Sequence, residues 1–299
     1  MKNRLWLAYA ITTTVFWGIW GAFISLPTEN GFPETLGYCV WAFTMIPPAI
    51  FALKRINWQL QYDQKSIFYG SVIGFLGAGG QLILFHAVTL GPAYLIFPVI
   101  SLSPILTIIL SFLFLKERAT LLGGIGIIVA LIAIPLFDYA GPEGLTDYGI
   151  SWFILSLLVM AAWAVQAFFM KLSNNTMHAE SIFFYMTVTG LLLIPIAVFL
   201  TDFSVPINWG LDGPYLAFAI QSLNAVGVLC LIYAFRYGKA IVVSPMANAS
   251  APLMTAIIAM LLLGEIPGSY RLAAIILAII AAILLAIESD SNPKKAEEV

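Results

Sequence analysis

Residues 91–98 read Gly-Pro-Ala-Tyr-Leu-Ile-Phe-Pro, and residues 238–245 read Gly-Lys-Ala-Ile-Val-Val-Ser-Pro. Both stretches lead into a second proline, a threonine and a glutamate, in the same order. These residues are Pro104, Thr107 and Glu117 in the first copy and Pro252, Thr255 and Glu265 in the second. The two copies keep one register, apart from one extra residue between the prolines of the second. The chain therefore contains an internal repeat, which decides how the rest of the sequence is divided.

The composition places this repeat in a membrane. Of the 299 residues, 61% are hydrophobic and 9% are charged, with a mean hydropathy of +0.98. Soluble domains carry about a quarter charged residues. The composition excludes a soluble catalytic domain and a basic nucleic-acid-binding patch. Cys39 and Cys230 lie in apolar runs, where a free thiol behaves as a small hydrophobe, so we expect neither a disulfide nor a metal site.

Ten apolar runs are long enough to cross a bilayer as helices, since about 20 residues span its hydrocarbon core. Charged residues, glycines and prolines bound these runs. The predicted spans are residues 5–26, 36–54, 66–89, 92–115, 119–137, 149–171, 181–200, 213–235, 240–263 and 268–288. The first run is too long for a signal-peptide core and is read as a retained helix. The predicted class is an all-α integral membrane protein with ten transmembrane helices.

Basic residues set the orientation, because they concentrate on the cytoplasmic side of membrane proteins. With the N-terminus inside, twelve of the thirteen lysines and arginines fall on the cytoplasmic side. They are Lys2, Arg4, Lys54, Arg55, Lys65, Lys116, Arg118, Lys171, Arg236, Lys239, Lys294 and Lys295, which leaves Arg271 outside. Both termini are therefore predicted to be cytoplasmic.

The repeat register extends through all ten spans. Gly80 and Ala87 match Gly227 and Ala234, and Trp17 matches Trp163. Each half then holds five spans, and an odd number makes the second half enter the membrane from the opposite side, as in transporters with inverted repeats. The predicted halves are residues 1–143 and 144–290, followed by a short cytoplasmic tail, 291–299.

Short motifs at matching places add a family resemblance. The first half begins with the motif Trp17-Gly18-x-x-Gly21-Ala22-Phe23. A second motif, Leu115-Lys116-Glu117-Arg118, corresponds through the repeat to Leu263-Gly264-Glu265-Ile266. These motifs, together with ten spans in two inverted halves, resemble those of the EamA family of the drug/metabolite transporter superfamily. The resemblance implies carriage of amino acids, other small metabolites or toxic compounds across the bacterial inner membrane, often outward. Relatives that carry sugar phosphates use buried basic residues, and this chain has none in mid-membrane.

Four prolines mark predicted breaks in spans four and nine. A proline inside a helix removes one amide and disturbs the carbonyl four residues before it. Carbonyls freed in this way bind substrate in many transporters, although a neighbouring hydroxyl can satisfy them in a simple packing kink. The candidate breaks, which we also predict to act in gating, are Pro98, Pro104, Pro245 and Pro252.

Polar side chains near these breaks are candidate substrate ligands. Ser244 and Asn248 share one face of span nine, and Ser101 corresponds to Asn248 through the repeat. In spans three and eight, Gln81 and Asn224 add amide groups. Each of these residues could instead join helices by hydrogen bonds, and Gln81 lies on a glycine-rich face that also suits close packing.

Aromatic residues deep in spans one and six are further candidates. Trp17 and Trp20 share a face of span one, and Trp163 and Gln166 occupy the matching part of span six. An indole that faces lipid there would leave its N–H unpaired, so an inward position is favoured. Such rings could stack on a sugar, hold an aromatic side chain or enclose a quaternary ammonium, and core packing is the alternative.

Coupling to an ion has few candidate residues. No Asp, Glu, Lys or Arg lies deep in a predicted span, so His86 is the residue expected to titrate there if protons are coupled. Glu117 and Glu265 are read as caps of the helices that follow them. Small-residue faces at Gly126 and Ala130 in span five and at Ala274, Ala278 and Ala282 in span ten could join the halves or form a homodimer.

The sequence thus favours a secondary transporter over an enzyme. An intramembrane serine protease would need His86 beside a serine, and no Gly-x-Ser-x-Gly stretch is present. A channel or passive facilitator is the other alternative. The predicted substrate is a small neutral or zwitterionic metabolite such as an amino acid, exported by alternating access around a midplane cavity. Sugars, nucleosides, quaternary amines and drugs are the alternatives. The expected partners are this substrate and the lipid bilayer, with no cofactor, nucleic acid or ATP.

Overall fold

The computed structural model describes residues 5–24, 26–90, 99–100, 102–116, 120–137, 150–247, 251, 254, 258 and 269–288. Every regular element in this part of the chain is helical. The elements are α1 (Leu5–Phe23), α2 (Leu26–Glu29), α3 (Glu34–Thr44), α4 (Ile46–Arg55), α5 (Gln64–Leu90), α6 (Ser103–Phe114), α7 (Leu121–Phe137), α8 (Ser151–Ser173), α9 (Ala179–Leu192), α10 (Ile194–Phe199), α11 (Leu216–Tyr237), which follows a π-helical turn at Leu211–Tyr215, and α12 (Ser269–Glu288).

Within the described ranges, six helical segments are long and apolar enough to cross a membrane. They are Leu5–Glu29, Glu34–Arg55, Gln64–Ala87, Ser151–Ser173, Ala179–Phe199 and Leu211–Tyr237. Large apolar side chains such as Phe51, Phe75, Phe112 and Ile128 are exposed on their outer surface and on that of the shorter helices. A water-soluble protein does not expose apolar surface on this scale. The prediction of an all-α integral membrane protein is confirmed.

Two of the segments are interrupted at prolines that the sequence analysis did not single out. α3 ends just before Met45 and α4 begins just after it, and Pro47 and Pro48 lie in the first turn of α4. α9 gives way to α10 at Leu193, and Pro195 lies in the first turn of α10. A proline is tolerated there because the first amides of a helix have no intrahelical acceptor. Each segment therefore consists of two short helices joined by a bend.

α3 and α9 lie at the centre of the protein. Tyr38 of α3 and Phe183 of α9 have no exposed surface. The Tyr38 hydroxyl donates to the carbonyl of Gly190 at 3.1 Å, which joins the two helices. The neighbouring helices surround this pair, since α11 packs on α3 and α5 packs on α9.

Glycines allow α5 to approach its neighbours closely. An added Cβ at Gly70 or Gly74 would lie within 2.3 Å of Tyr185 or Thr189 on α9. At Gly77 it would meet Gln166 of α8. The glycine face of span three therefore makes close helix contacts, as the packing alternative predicted. α7 and α12 form a further close pair in which Ala130 and Ala281 are fully buried.

Connections from the two halves touch each other at both ends of the bundle. At what we call the Asn30 end, formed by residues 26–36 and 199–215, the amide of Asn208 donates to the carbonyl of Gly31 at 3.0 Å. The hydroxyls of Thr35 and Thr201 are 2.7 Å apart at the same end. At the Arg55 end, formed by residues 54–66, 171–181 and 233–240, the Gln61 amide donates to Ser181 at 3.3 Å.

The Arg55 end also contains the cap of α5. The Asp63 carboxylate accepts hydrogen bonds from the amide of Ser66 at 3.1 Å and from its hydroxyl at 2.5 Å. These bonds favour the ionised form and hold the pKa of Asp63 below its usual value. The cap fixes the start of α5 beside the connection that contacts α9.

Two glycines of α5 provide a test of this close packing. Gly74→Ala would place a Cβ 2.0 Å from the Thr189 hydroxyl oxygen, whereas a Cβ at Gly79 would meet nothing within 4 Å. We expect Gly74→Ala to destabilise the protein by about 1–3 kcal/mol through overpacking. Gly79→Ala should leave stability unchanged or raise it by up to about 1 kcal/mol, since alanine favours the helix. Thermal unfolding in detergent measures both, and equal effects would contradict the close contact.

Candidate functional site

Trp17 of α1 lies at the contact with α11. Its half-buried ring rests on Gly227, where an added Cβ would be 2.6 Å from the indole. Its Nε1 donates to the carbonyl of Asn224 at 3.5 Å, a long hydrogen bond. Thr13, one turn earlier on α1, donates its hydroxyl to the carbonyl of Gly227 at 3.0 Å. The indole therefore contributes to the contact between α1 and α11.

Trp163 makes the same contact in the other half. Its ring rests on Gly80 of α5, where an added Cβ would be 2.5 Å from Nε1, and Nε1 donates to the carbonyl of Gly77 at 3.4 Å. The sequence repeat pairs Trp17 with Trp163 and Gly80 with Gly227. Gly77 and Asn224 each lie three residues before the matched glycine. Residues that correspond in sequence thus make corresponding contacts.

A group of indoles and amides lies where α1, α3 and α11 meet. Trp20 donates to the Gln221 side-chain oxygen at 3.0 Å, and Trp41 donates to the Asn224 side-chain oxygen at 2.8 Å. All four side chains are buried. The sequence analysis missed Trp41, although it lies inside a predicted span and meets the criterion that selected Trp17. We call Trp17, Trp20, Trp41, Gln221 and Asn224 the α1–α11 group.

A second group lies between α5 and α8 and contains Gln81, Trp163 and Gln166. Gln81 is only 4% exposed, and its Nε2 has no hydrogen-bond partner among the described residues. A buried donor left unpaired is costly, so such a group is a good candidate for binding a ligand or water. Trp163 packs against an apolar cluster at the ends of α5 and α8 that includes Leu84 and Val159.

The structure locates three of the residues predicted around the helix breaks. Pro104 is the second residue of α6, which begins after a turn at Leu102, so it lies at a helix start. Ser244 and Pro245 are buried in a helical stretch at residues 240–247. Ser101, Asn248, Pro98 and Pro252 fall outside the described residues.

Two titratable residues lie near the ends of helices. His86 is exposed near the end of α5. Glu180, which the predicted spans left just outside the seventh, is buried in the first turn of α9 and accepts a hydrogen bond from the Tyr233 hydroxyl at 2.5 Å. Glu180 lies at the start of α9 and not deep in it, so the expectation about charged residues deep in the spans stays a prediction. The apolar run begins at Ile182, and the sequence did not reveal that the helix starts earlier and is covered by α11.

A cleft of about 410 Å³ opens between α1, α4 and α11. Its walls are mainly apolar and run from Pro47 and Val226 to Arg55 and Tyr233. None of the predicted substrate ligands that the structure describes lines it. The polar candidates in the described part of the chain therefore form two groups, the α1–α11 group and the Gln81 group, and neither group lines the cleft.

The two groups can bind a ligand only through uncharged donors, acceptors and ring faces. Their members offer amide and indole groups with no ionised side chain. Such groups can bind neutral polar molecules and cations that stack on rings, and they offer no compensating charge to an isolated anion. No group of three or more histidine, cysteine, aspartate or glutamate residues suited to a metal ion occurs in the described ranges.

Comparisons with known proteins cover nearly the whole chain. The model of the EamA-like transporter family matches residues 4–137 and 150–287. An uncharacterized protein of Methanocaldococcus jannaschii is 40% identical over 128 residues, which are 43% of this chain and 92% of that protein. An uncharacterized transporter of Archaeoglobus fulgidus is 29% identical over 168 residues, which are 54% of this chain and 56% of that protein. A solved crystal structure aligns with this chain at a TM-score of 0.76 and 16% sequence identity. The alignment covers 95% of this chain and 96% of the other chain, so the two proteins share a fold.

The two buried glutamines allow a matched test of which amides hold the structure together. Gln221→Leu would leave the Trp20 N–H without its acceptor, so we expect a loss of about 1–3 kcal/mol of stability. Gln81→Leu removes an amide whose Nε2 has no described partner and should cost less than about 1 kcal/mol. Thermal unfolding of the two purified variants compares them. An equal or larger loss for Gln81→Leu would show that this amide is structural.

Proposed function

This chain belongs to the EamA-like transporter family, in the drug/metabolite transporter superfamily. From this we propose that it is a secondary transporter, which exports a small neutral or zwitterionic metabolite such as an amino acid. The membrane fold and the family favour a transporter over an enzyme. The observation that carries the substrate proposal is that the polar side chains of the α1–α11 group and the Gln81 group are uncharged amides and indoles.

We propose that ten transmembrane helices form two inverted five-helix repeats, residues 1–143 and 144–290. The corresponding contacts of Trp17 on Gly227 and of Trp163 on Gly80 support this arrangement. In each case a helix of one half packs on a helix of the other. The bends before Pro47 and Pro195 also occur at equivalent places in α3–α4 and α9–α10. Two halves related in this way are the usual basis of alternating access.

We propose that the Arg55 end faces the cytoplasm, in the inner membrane of a bacterium, with both termini on that side. Basic residues at this end are Lys54, Arg55, Lys65, Lys171, Arg236 and Lys239. Acidic residues at the Asn30 end are Glu29, Glu34, Asp202 and Asp212. The distribution of the basic residues supports the orientation, since cytoplasmic connections carry more lysine and arginine.

Substrate specificity is proposed to depend on Gln81 together with the α1–α11 group. The Gln81 Nε2 group, which has no partner among the described residues, suits a carboxylate or carbonyl oxygen, and the half-buried face of Trp17 suits an ammonium or an apolar side chain. A zwitterion presents both parts in one small molecule. Its two charges cancel, so it tolerates a site without ionised residues better than an anion does.

Alternating access requires the contacts at the two ends to break in turn. The described structure has hydrogen bonds between the halves at both the Asn30 end and the Arg55 end. The bends at Met45 and Leu193 are candidate hinges, because helix ends absorb changes in backbone angle without breaking internal hydrogen bonds. We propose that rocking about these bends opens one end while the other stays closed.

Ligand binding can be tested by thermal unfolding against a panel of amino acids, sugars, nucleosides, quaternary amines and lipophilic cations. A ligand at about 100 times its dissociation constant adds about 2.7 kcal/mol of stability. We expect a shift confined to amino acids or similar zwitterions that is lost in Gln81→Leu and Trp17→Ala. Trp58→Ala is the control, since Trp58 is 57% exposed. A shift limited to sugars or lipophilic cations would contradict the proposed substrate class.

Exchange in liposomes distinguishes a carrier from a channel. A carrier accelerates uptake of labelled substrate when unlabelled substrate is present on the far side, because the loaded site returns faster than the empty one. We expect such counterflow with the amino acid that gives the largest thermal shift. Uptake that is linear in concentration and indifferent to internal substrate would identify a passive facilitator and contradict alternating access.

A further inference from the structure

The apolar cleft between α1, α4 and α11 runs along a membrane-spanning segment, Glu34–Arg55. Its wall on α4 includes Pro47, Phe51 and Arg55, which follow one another at intervals of about one helical turn. At 1.5 Å per residue, the rise from Pro47 to Arg55 is about 12 Å. Half of a bilayer's hydrocarbon core is about 15 Å deep. The cleft therefore extends through most of one leaflet.

The wall on α11 has a matching helical spacing. Val226, Leu229, Cys230 and Tyr233 line the cleft at positions i, i+3, i+4 and i+7, so they share one face of the helix. Val226 and Cys230 are half-buried, and neither offers a strong hydrogen-bonding group. A small zwitterion held between these walls would leave its charged groups unpaired. The middle of the cleft suits a hydrocarbon chain instead.

The charge of the described lining lies at one end of the cleft. The Arg55 guanidinium is 5.4 Å from the centre of the Tyr233 ring. Tyr9 of α1 stacks on the same ring, with the ring centres 4.9 Å apart. Arg55 and its neighbour Lys54 are both exposed. Because a guanidinium presents its N–H donors in a fork that matches a phosphate, this end of the cleft suits an anionic headgroup.

The Arg55 end as a whole has an excess of positive charge. Its three connections contain six lysines and arginines against two acidic residues, Asp63 and Glu180. Both carboxylates are hydrogen-bonded within the protein, Asp63 by Ser66 and Glu180 by Tyr233. Basic residues at a membrane surface attract anionic lipids, each by a modest amount that adds to the others. The charge of this end is therefore complementary to an anionic lipid surface.

We propose that this cleft binds an anionic phospholipid of the leaflet next to the Arg55 end. One acyl chain lies between α4 and α11, with its tip toward Pro47 and Val226. The headgroup phosphate accepts hydrogen bonds from Arg55. The chain fills space that the helices leave open and gains van der Waals contacts there. The charge of Arg55 and Lys54 selects an anionic lipid over a zwitterionic one.

This lipid site is separate from the proposed substrate site, because none of the described substrate ligands lines the cleft. Its lining includes Pro47 and Pro48, in the first turn of α4 after the bend at Met45. A lipid bound there contacts the segment beyond the bend and the face of α11 at the same time. It therefore stabilises the described arrangement of α4 and α11. The inference does not depend on the transport proposal.

The headgroup contact can be tested by measuring lipid affinity with native mass spectrometry of the purified protein in detergent. The probes are phosphatidylglycerol and phosphatidylcholine with the same acyl chains. We expect phosphatidylglycerol to bind about tenfold more tightly, which is the effect of about one charge-assisted interaction. Arg55→Gln should remove most of this preference. Lys65→Gln is the matched control, since Lys65 lies 5.8 Å from the centre of the Tyr69 ring at the same end but outside the cleft.

The acyl-chain contact is tested separately by Cys230→Phe. The added ring would fill the middle of the cleft, so binding of both lipids should weaken by about tenfold without any change of charge. Leu158→Phe, at an exposed position of α8, is the matched control and should bind both lipids as the unsubstituted protein does. Thermal unfolding without added lipid checks that each variant folds. Should Arg55→Gln fail to fold, Cys230→Phe and the crosslinking experiment decide the proposal.

Crosslinking in liposomes locates the bound chain. The probe is phosphatidylglycerol with a photoactivatable diazirine near the tip of one acyl chain. We expect its adducts to concentrate near Pro47 and Val226 and to be lost from both places in Cys230→Phe. Ile128 of α7 is 59% exposed and measures general contact with lipid.

Four results would overturn the proposal. Equal affinity for the two lipids, or an equal loss of preference in Lys65→Gln and Arg55→Gln, would show a general attraction to charge. Glycerol 3-phosphate that competes as well as the whole lipid would show a site for a free anion. A dimer that Cys230→Phe converts to a monomer would show that a second copy of the chain covers the cleft. Adducts as frequent at Ile128 as at Val226 would show that the cleft holds no particular lipid.

Discussion

The arrangement of the bundle depends on an indole ring lying against a glycine of the neighbouring helix. In lipid, the backbone groups of each helix are already paired, so helices gain little from apolar contact as such. Close approach and interhelical hydrogen bonds have to hold them together. Trp17 on Gly227 and Trp163 on Gly80 supply both, because each ring fills the space a Cβ would occupy and donates to a carbonyl nearby.

This contact explains why α5 and α11 are rich in small and amide residues while their outer surfaces are apolar. A glycine must sit beneath each ring, and a donor or acceptor must lie within one turn of it. Asn224 meets the second requirement twice, with its carbonyl toward Trp17 and its side chain toward Trp41. A single residue thereby joins α1, α3 and α11. In the proposed binding site, the same side chains would serve helix packing and ligand binding, so substitutions there are expected to affect both.

The family, the helical class and the matched tryptophans were predictable because composition, repeat register and motif spacing are properties of the chain alone. Trp41 and Glu180 were not predicted, for different physical reasons. Trp41 met the same criterion as Trp17 but has no tryptophan at the matching position of the other half, so the repeat did not draw attention to it. Glu180 borders its apolar run, and its burial depends on contacts with α11 that no local pattern encodes. The bends before Pro47 and Pro195 show a similar limit, since a proline near the middle of a run fits either a kink or a fresh helix start.

The glycine face of α5 also bears on how the protein is made. Its partners are Gln166 and Trp163 on α8 and Tyr185 and Thr189 on α9, all of them synthesised long after α5 has left the ribosome. During that interval the face has to be covered by lipid, by the insertion machinery or by transient neighbours from the first half. Final packing of α5 can begin only once the chain has been made through α9. Assembly is therefore coupled to the completion of the second half, and a ribosome that stalls before α9 would leave a close-packing surface open to degradation or to misassembly with another chain.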